Sequence, residues 1–258
     1  MASKAPSRNR LSSVANAARV LKAFSASNLT WGVADLAAHL GLSTSSTHRI
    51  LSTLADEGIL DQDDATGRYR MGLTAFDIVA AMPKQRSLHE AVLVSMTELR
   101  ARSGETVQVG VLDGHEVVYV ERLESPHTLR VFTELGRRAP AYRTSSGKAI
   151  LAFTPARQRN DLLENWQLDA VTEYTITDPD ELRSQLRSIR KCGYAENRQE
   201  SEMGVVSVAA PIRNESGNAV ASLSLAGPTE RMDPKRTVYI EAVVVLARAV
   251  SLQMGWRG

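Results

Sequence analysis

Apolar positions in the first sixty residues recur at helical intervals. Val14, Ala17, Ala18, Leu21 and Phe24 form one stripe, Val33, Leu36, Ala37 and Leu40 a second, and Thr47, Ile50, Leu51 and Leu54 a third. Steps of three and four residues predict three amphipathic helices. Ser12 or Ser13 is expected to cap the first, and "SASNLTWG" (25–32) reads as a loop. Gly41 closes the second helix by supplying a positive φ, and the third ends near Gly58. The pattern then shortens. "ILDQDDATGRYRMG" (59–72) places two short runs around a polar, Gly-containing tip, which predicts a β-hairpin.

Beyond it, "LTAFDIVAAMPKQRSLHEAVLVSMTELRARSG" (73–104) is helical on both sides of Pro83, which interrupts the helix. The runs flanking Asp113-Gly114 (106–123) predict a hairpin, and "HTLRVFTEL" (127–135) a further strand. "SSGKAILAF" (145–153) and "PARQRNDLLENW" (155–166) read as helices. In "DPDELRSQLRSIRKCG" (178–193), Asp178 is the N-cap, Pro179 the first helical residue and Glu181, at the third helical position, completes a capping box. Leu182, Leu186 and Ile189 face inward on that helix. Residues 204–228 form a second hairpin around "ESGN", and a last helix fills 237–254. Strands and helices without strict alternation predict an α+β fold with an antiparallel sheet. The division expected is a first domain at 1–73, a linker helix at 74–86 and a second domain at 87–258.

The short turn between the second and third stripes is the spacing of a helix-turn-helix, whose second helix enters the major groove. A hairpin directly after it makes the unit a winged helix. With Thr47, Ile50, Leu51 and Leu54 inward, a 100° step turns Ser45, Arg49 and Ser52 outward, flanked by Ser46 and His48 with Thr44 in the first turn. Short hydroxyls beside free backbone N–H groups suit phosphate contact. His48 and Arg49 are long enough for base edges. Arg8 and Arg10 in the basic arm and Arg68, with Arg70, in the wing complete the candidate DNA surface, while Asp61, Asp63 and Asp64 should point away from it. An interaction-only three-helix module is the bland alternative.

Charge supports the sharper reading. The 258 residues carry a net charge of only +2, yet residues 1–54 hold Lys4, Arg8, Arg10, Arg19, Lys22 and Arg49 against Asp35 alone. Such asymmetry suggests a nucleic-acid contact. Cys192 is the single cysteine, which excludes an internal disulfide or a multi-cysteine zinc site, and a packed thiol is expected there. No apolar run approaches the ~20 residues that span a bilayer, and "MASKAPSRNR" lacks a signal peptide's apolar core. A cytoplasmic protein with no membrane partner, metal or cofactor is the expectation.

Taken together, "GLSTSSTHRILSTLADEGIL", "GRYRMG", "VVYVERLES", "TSSGKAILA", "TITDPDELRSQLRSIRKCGYA", "GVVSVAAPI" and "SLSLAGP" resemble, in order and over nearly the whole chain, the IclR family of bacterial transcriptional regulators. The resemblance implies a winged helix-turn-helix, a linker helix and a GAF-like effector-binding domain. It also implies a homodimer or dimer of dimers acting on a double-stranded DNA operator, under allosteric control by a small carboxylic acid or aromatic compound. Carried over by position, the effector pocket comprises Ser145 and Ser146, just before "GK", with Asn197, Ser207 and Ser224. Asn197, Ser207 and Ala226 depart from the Asp, Cys and second Ser usual there. Leu129 and Val131 are expected in its apolar wall. Thr44 stands where the family often has Lys or Arg.

Other readings of the second half remain at this point. Ser207 and Ser224 are equally suited to filling a sheet–helix interface, and Asn197 to a turn. Lys148 is expected to pair a carboxylate or the domain interface, since "TSSGKA" lacks the first Gly and the Ser/Thr of a P-loop. An enzyme would need Ser145 or Ser146 activated by Lys148, His115 or His127, although no nucleophile elbow is present. His115, at a hairpin tip, is expected to face solvent. A ligandless architectural DNA-binding protein is the third possibility.

Overall fold

The structure is a computed structural model that describes residues 11–25, 27–81, 83–131 and 134–258, without the side chains of 79, 80 and 83–87. Arg8 and Arg10 lie outside the described residues. The chain divides into two compact units, Met1–Pro83 and Lys84–Gly258.

The first unit contains α1 (Ser12–Ala23), β1 (Thr30–Trp31), α2 (Val33–Leu40), α3 (Thr44–Asp56), β2 (Leu60–Gln62), β3 (Tyr69–Met71) and α4 (Thr74–Ala80). Val20, Leu36, Leu51, Leu54, Leu60 and Tyr69 form its core. Gly41 takes φ 64° between α2 and α3, the left-handed geometry a tight turn requires. Three details differ from the sequence reading. Helix α1 is capped by Leu11 without a side-chain bond, so Ser12 and Ser13 fall inside the first turn. Its buried position is Val20, while Val14 is 62% exposed, because α1 packs through its C-terminal half. The expected loop at 25–32 contains β1, which pairs with β3 in a three-stranded sheet ordered β1-β3-β2.

The second unit opens with α5 (Pro83–Ser103), β4 (Thr106–Asp113), β5 (Glu116–Leu123) and β6 (Arg138–Pro140). A 3-10 turn (Ala141–Arg143), α6 (Ser145–Phe153), α7 (Ala156–Leu163) and α8 (Pro179–Cys192) follow. Then come β7 (Ala195–Arg198), β8 (Val205–Arg213), β9 (Ala219–Pro228), α9 (Thr229–Met232) and α10 (Arg236–Gln253). The six strands pair antiparallel in the order β6-β5-β4-β9-β8-β7. Residues 127–131, 134 and 135 form no strand, correcting the expectation there; the next strand is the unforeseen β6. Asp178 caps α8 through the Asp180 N–H at 2.9 Å, and Gly193 closes it at φ 85°. Cys192 is exposed, not packed, because it lies at the end of α8 past the last inward position, Ile189.

Strand alternation sorts the chemistry. Val206, Val208, Ala210 and Ile212 of β8, with Ala221, Leu223 and Leu225 of β9, join a core with α5 and α10. The intervening positions lie on the opposite face of the sheet, where α6 and α8 pack. Ser207 is paired with Ala226, Ala209 with Ser224, and Gln108 with Ser224. Gln108, Ser224 and Ser207 therefore place polar side chains on three adjacent strands of the α6 side, Ser207 being staggered by two residues from the Gln108–Ser224 pair.

Candidate functional site

In the first unit, Ser43, immediately before the hydroxyl run 44–47, caps α3. Its Oγ accepts from the Ser46 N–H at 3.2 Å and donates to Ser46 Oγ at 2.9 Å. Thr47 is fully buried. Thr44, Ser45, Ser46, His48 and Arg49 are exposed, whereas Ser52 is half-buried and returns its hydroxyl to the Arg49 carbonyl at 3.2 Å. Arg49 and Ser46 border a groove of about 450 Å³ between α1 and α3, with Ile50 and Leu54 on its floor.

Arg68 is differently employed than expected. Its guanidinium donates to the Thr30 carbonyl and hydroxyl, each at 3.1 Å, and reaches Asp35 at 3.4 Å. It fastens the hairpin to β1 and α2, and so positions the wing. Arg70 pairs with Asp61 across the hairpin at 3.7 Å, and Asp63 orders the tip by accepting from the Thr66 N–H and hydroxyl.

In the second unit, a cleft of about 80 Å³ brings together Ser145, Asn197, Ser207, Ser224 and Val131 from the sequence reading. Alternation explains the convergence: Asn197 is paired with Ser207 on β7–β8, and Ser207 Oγ lies 2.7 Å from Ser145 Oγ at the start of α6. Thr144 caps α6 by accepting from the Gly147 N–H at 3.0 Å. The first-turn N–H groups of Ser145 and Ser146 have no intrahelical acceptor. Two expected members stand elsewhere. Leu129 is 70% exposed, since its segment is not a strand. Ser146 is buried beside Gly110 of β4, its Cβ 3.5 Å from where a Gly110 side chain would begin.

The sequence reading missed Gln108, Tyr119, Arg137, Arg143 and Glu202 in the lining. Gln108 carried a signal, a polar residue inside the apolar run "TVQVGV". Tyr119 carries a phenol that burial pushes above its ordinary pKa. Glu200, also missed, binds Lys148 through both carboxylate oxygens at 2.6 Å, and Gln185 Oε1 accepts from the same ammonium at 3.1 Å. Burial pulls Lys148 below its usual pKa, and Glu200 opposes that pull.

These contacts bear on catalysis. Ser145 is bonded to Ser207, Lys148 to Glu200, and exposed His115 to the Leu162 carbonyl at 2.9 Å. No described serine has a base positioned to activate it. Among the described residues no cluster of His, Cys, Asp and Glu could hold a metal, and no helix is long and apolar enough to cross a membrane.

A helix-turn-helix with a hairpin wing, on one chain with a sheet unit bearing a polar cleft, is the make-up of a DNA-binding regulator. Residues 13–64 match the IclR helix-turn-helix domain, and residues 80–252 match the C-terminal domain of the bacterial transcriptional regulator IclR. The chain belongs to the IclR family of transcriptional regulators. It is 33% identical over 223 residues to the HTH-type transcriptional regulator XynR of Escherichia coli, covering 86% of this chain and 88% of that protein. Against the transcriptional repressor IclR of Escherichia coli it is 30% identical over 254 residues, covering 97% and 93%. The crystal structure of an IclR homolog complexed with 4-hydroxybenzoate, from Microbacterium hydrocarbonoxydans, superposes with a TM-score of 0.82 at 26% identity, covering 94% and 98%. The chain is a regulator of transcription, and the enzyme alternative is set aside.

Proposed function

We infer that α3 reads a double-stranded operator and that the cleft of the second unit holds a small-molecule effector controlling operator affinity. The observation carrying this reading is the cleft itself. Hydroxyls and an amide from β7, β8 and β9 converge with the amino end of α6, where an anion is favoured. A carboxylic acid or an aromatic compound fits that chemistry in outline, and the 4-hydroxybenzoate bound by the homolog supports it. Thr44, Ser45, Ser46, His48, Arg49 and Ser52 are the operator-reading candidates, with Arg8 and Arg10 as arm contacts and Arg68 holding the wing. A homodimer or dimer of dimers acts on a two-fold operator, and the effector shifts the population able to engage it.

The test is fluorescence anisotropy with the DNA upstream of the gene, across a salt series and with a metabolite screen. Affinity falls steeply with salt and exceeds that for random DNA, and at least one metabolite changes it. Equal affinity for random DNA overturns operator reading. A screen in which no metabolite alters operator affinity or thermal stability overturns effector control.

A further inference from the structure

We propose that Arg143 is the acid-binding anchor of the cleft and that the effector is a small hydroxylated carboxylate rather than an aromatic acid, a proposal that rests on the effector reading above. Arg143 ends the 3-10 turn Ala141–Arg143, one residue before the Thr144 cap of α6. It lines the cleft. Its guanidinium makes no hydrogen bond or ion pair with any described residue, and its Nε is buried without an acceptor. A buried donor left unmade is costly, and a ligand oxygen relieves that cost.

The location sharpens the inference. A helix amino end carries partial positive charge, so a cation beside it is ordinarily unfavourable. Here two positive sources, the guanidinium and the first turn of α6, border one cleft. A single carboxylate satisfies both, with the bidentate geometry that guanidinium favours. Arg137 and Glu202 also line the cleft with opposite charges, which leaves Arg143 as the excess cation and one carboxylate as its match.

The rest of the lining sets the class. Gln108, Asn197, Ser207 and Ser224 line the cleft with amides and hydroxyls on adjacent strands. Asn197 is engaged by Ser201 and Glu200, while the bonded Ser145–Ser207 hydroxyl pair keeps one hydrogen and free lone pairs for a ligand hydroxyl. A site that hydrogen-bonds a substrate's hydroxyls rejects an analogue lacking them, and a plain aromatic ring offers these groups nothing. The volume of about 80 Å³ lies well below the roughly 300–1,000 Å³ of drug-sized sites. A chain of a few carbons bearing one carboxylate and one or more hydroxyls meets these conditions.

The experiment measures thermal midpoint and operator affinity of the full chain with glycolate, glycerate, tartrate, glycerol, benzoate and 4-hydroxybenzoate. It compares the parent, Arg143→Gln, and Arg138→Gln as a control whose pairs with Asp113 and Glu116 lie outside the cleft lining. A hydroxy acid is expected to act on the parent while glycerol does not. Arg143→Gln should weaken that acid at least about tenfold with a ligand-free midpoint that does not fall, since Arg143 has no described partner to lose and its unmet Nε is removed. Arg138→Gln should retain the response. Equal affinity in the parent and Arg143→Gln, or a response to aromatic acids alone, overturns the proposal while effector control stands. Silence across the whole panel also overturns it, and effector control is then decided by the wider metabolite screen.

Discussion

Lys148 Nζ stands 2.6 Å from both carboxylate oxygens of Glu200, with the two side chains 1% and 8% exposed. The pair ties α6 to the turn after β7, the same turn whose Glu200 N–H donates to Asn197 Oδ1 at 2.7 Å. Removing one partner strands a buried charge. Lys148→Met should lower stability by about 3–5 kcal/mol, and Lys148→Met/Glu200→Met should recover most of that loss. Urea unfolding of the two variants measures the coupling; simply additive losses would contradict it.

Arg49 and Arg68 separate reading from positioning. The Arg49 side chain has no hydrogen-bond partner among the described residues, so Arg49→Ala should cost about 1–3 kcal/mol of operator affinity if it reads a guanine, with thermal stability unchanged. Unchanged operator affinity removes it from the reading surface. Arg68→Ala breaks the contacts to Thr30 and Asp35 and should destabilise the first unit by about 1 kcal/mol, a modest figure because the side chain is 41% exposed. Calorimetry distinguishes the two variants.

Gly147 has no room for a side chain: an added Cβ would lie 2.2 Å from the Ala141 carbonyl oxygen. Gly147→Ala should force backbone movement at the start of α6 and cost about 3 kcal/mol, read by urea unfolding. A loss below about 0.5 kcal/mol would show that the turn yields freely.

Asp63 holds the wing tip, and the Thr66 hydroxyl, followed by the Thr66 N–H, draws its carboxyl below the usual aspartate pKa. A depressed folded value gives a contribution that is present above the unfolded pKa and lost as pH falls through the folded one. The carboxyl resonance should titrate below 3.8, and Thr66→Val should move its midpoint upward. A midpoint indifferent to Thr66→Val would dissociate the shift from that hydroxyl.

Local rules made much of the molecule legible. Gly41, Gly193 and the Asp178 cap are short-range features whose geometry follows from residue type, and Asp113-Gly114 marks its hairpin in the same way. The convergence of Ser145 with Ser207 was reachable through the family pattern and not through spacing, since 62 residues separate them. Arg143 and Glu202 stayed hidden because nothing local marks a charge facing a cavity rather than solvent. Leu129 and Val131 failed as a strand pair because β-rich composition favours a strand only where a neighbouring edge accepts it. β5 pairs with β6, which an arginine and a proline had disguised.

The margin of the sheet at β7 has one more consequence. Glu196 and Arg198 flank inward-facing Asn197; Glu196 is held by Arg236 at 2.7 Å, and Arg198 by Asp233 at 3.2 Å. A foreign β-strand docking there would meet a four-residue ledge with fixed charges instead of a bare backbone ladder. Fibril-like growth from this border is thereby discouraged, leaving the regulator tolerant of crowding at its own exposed rim.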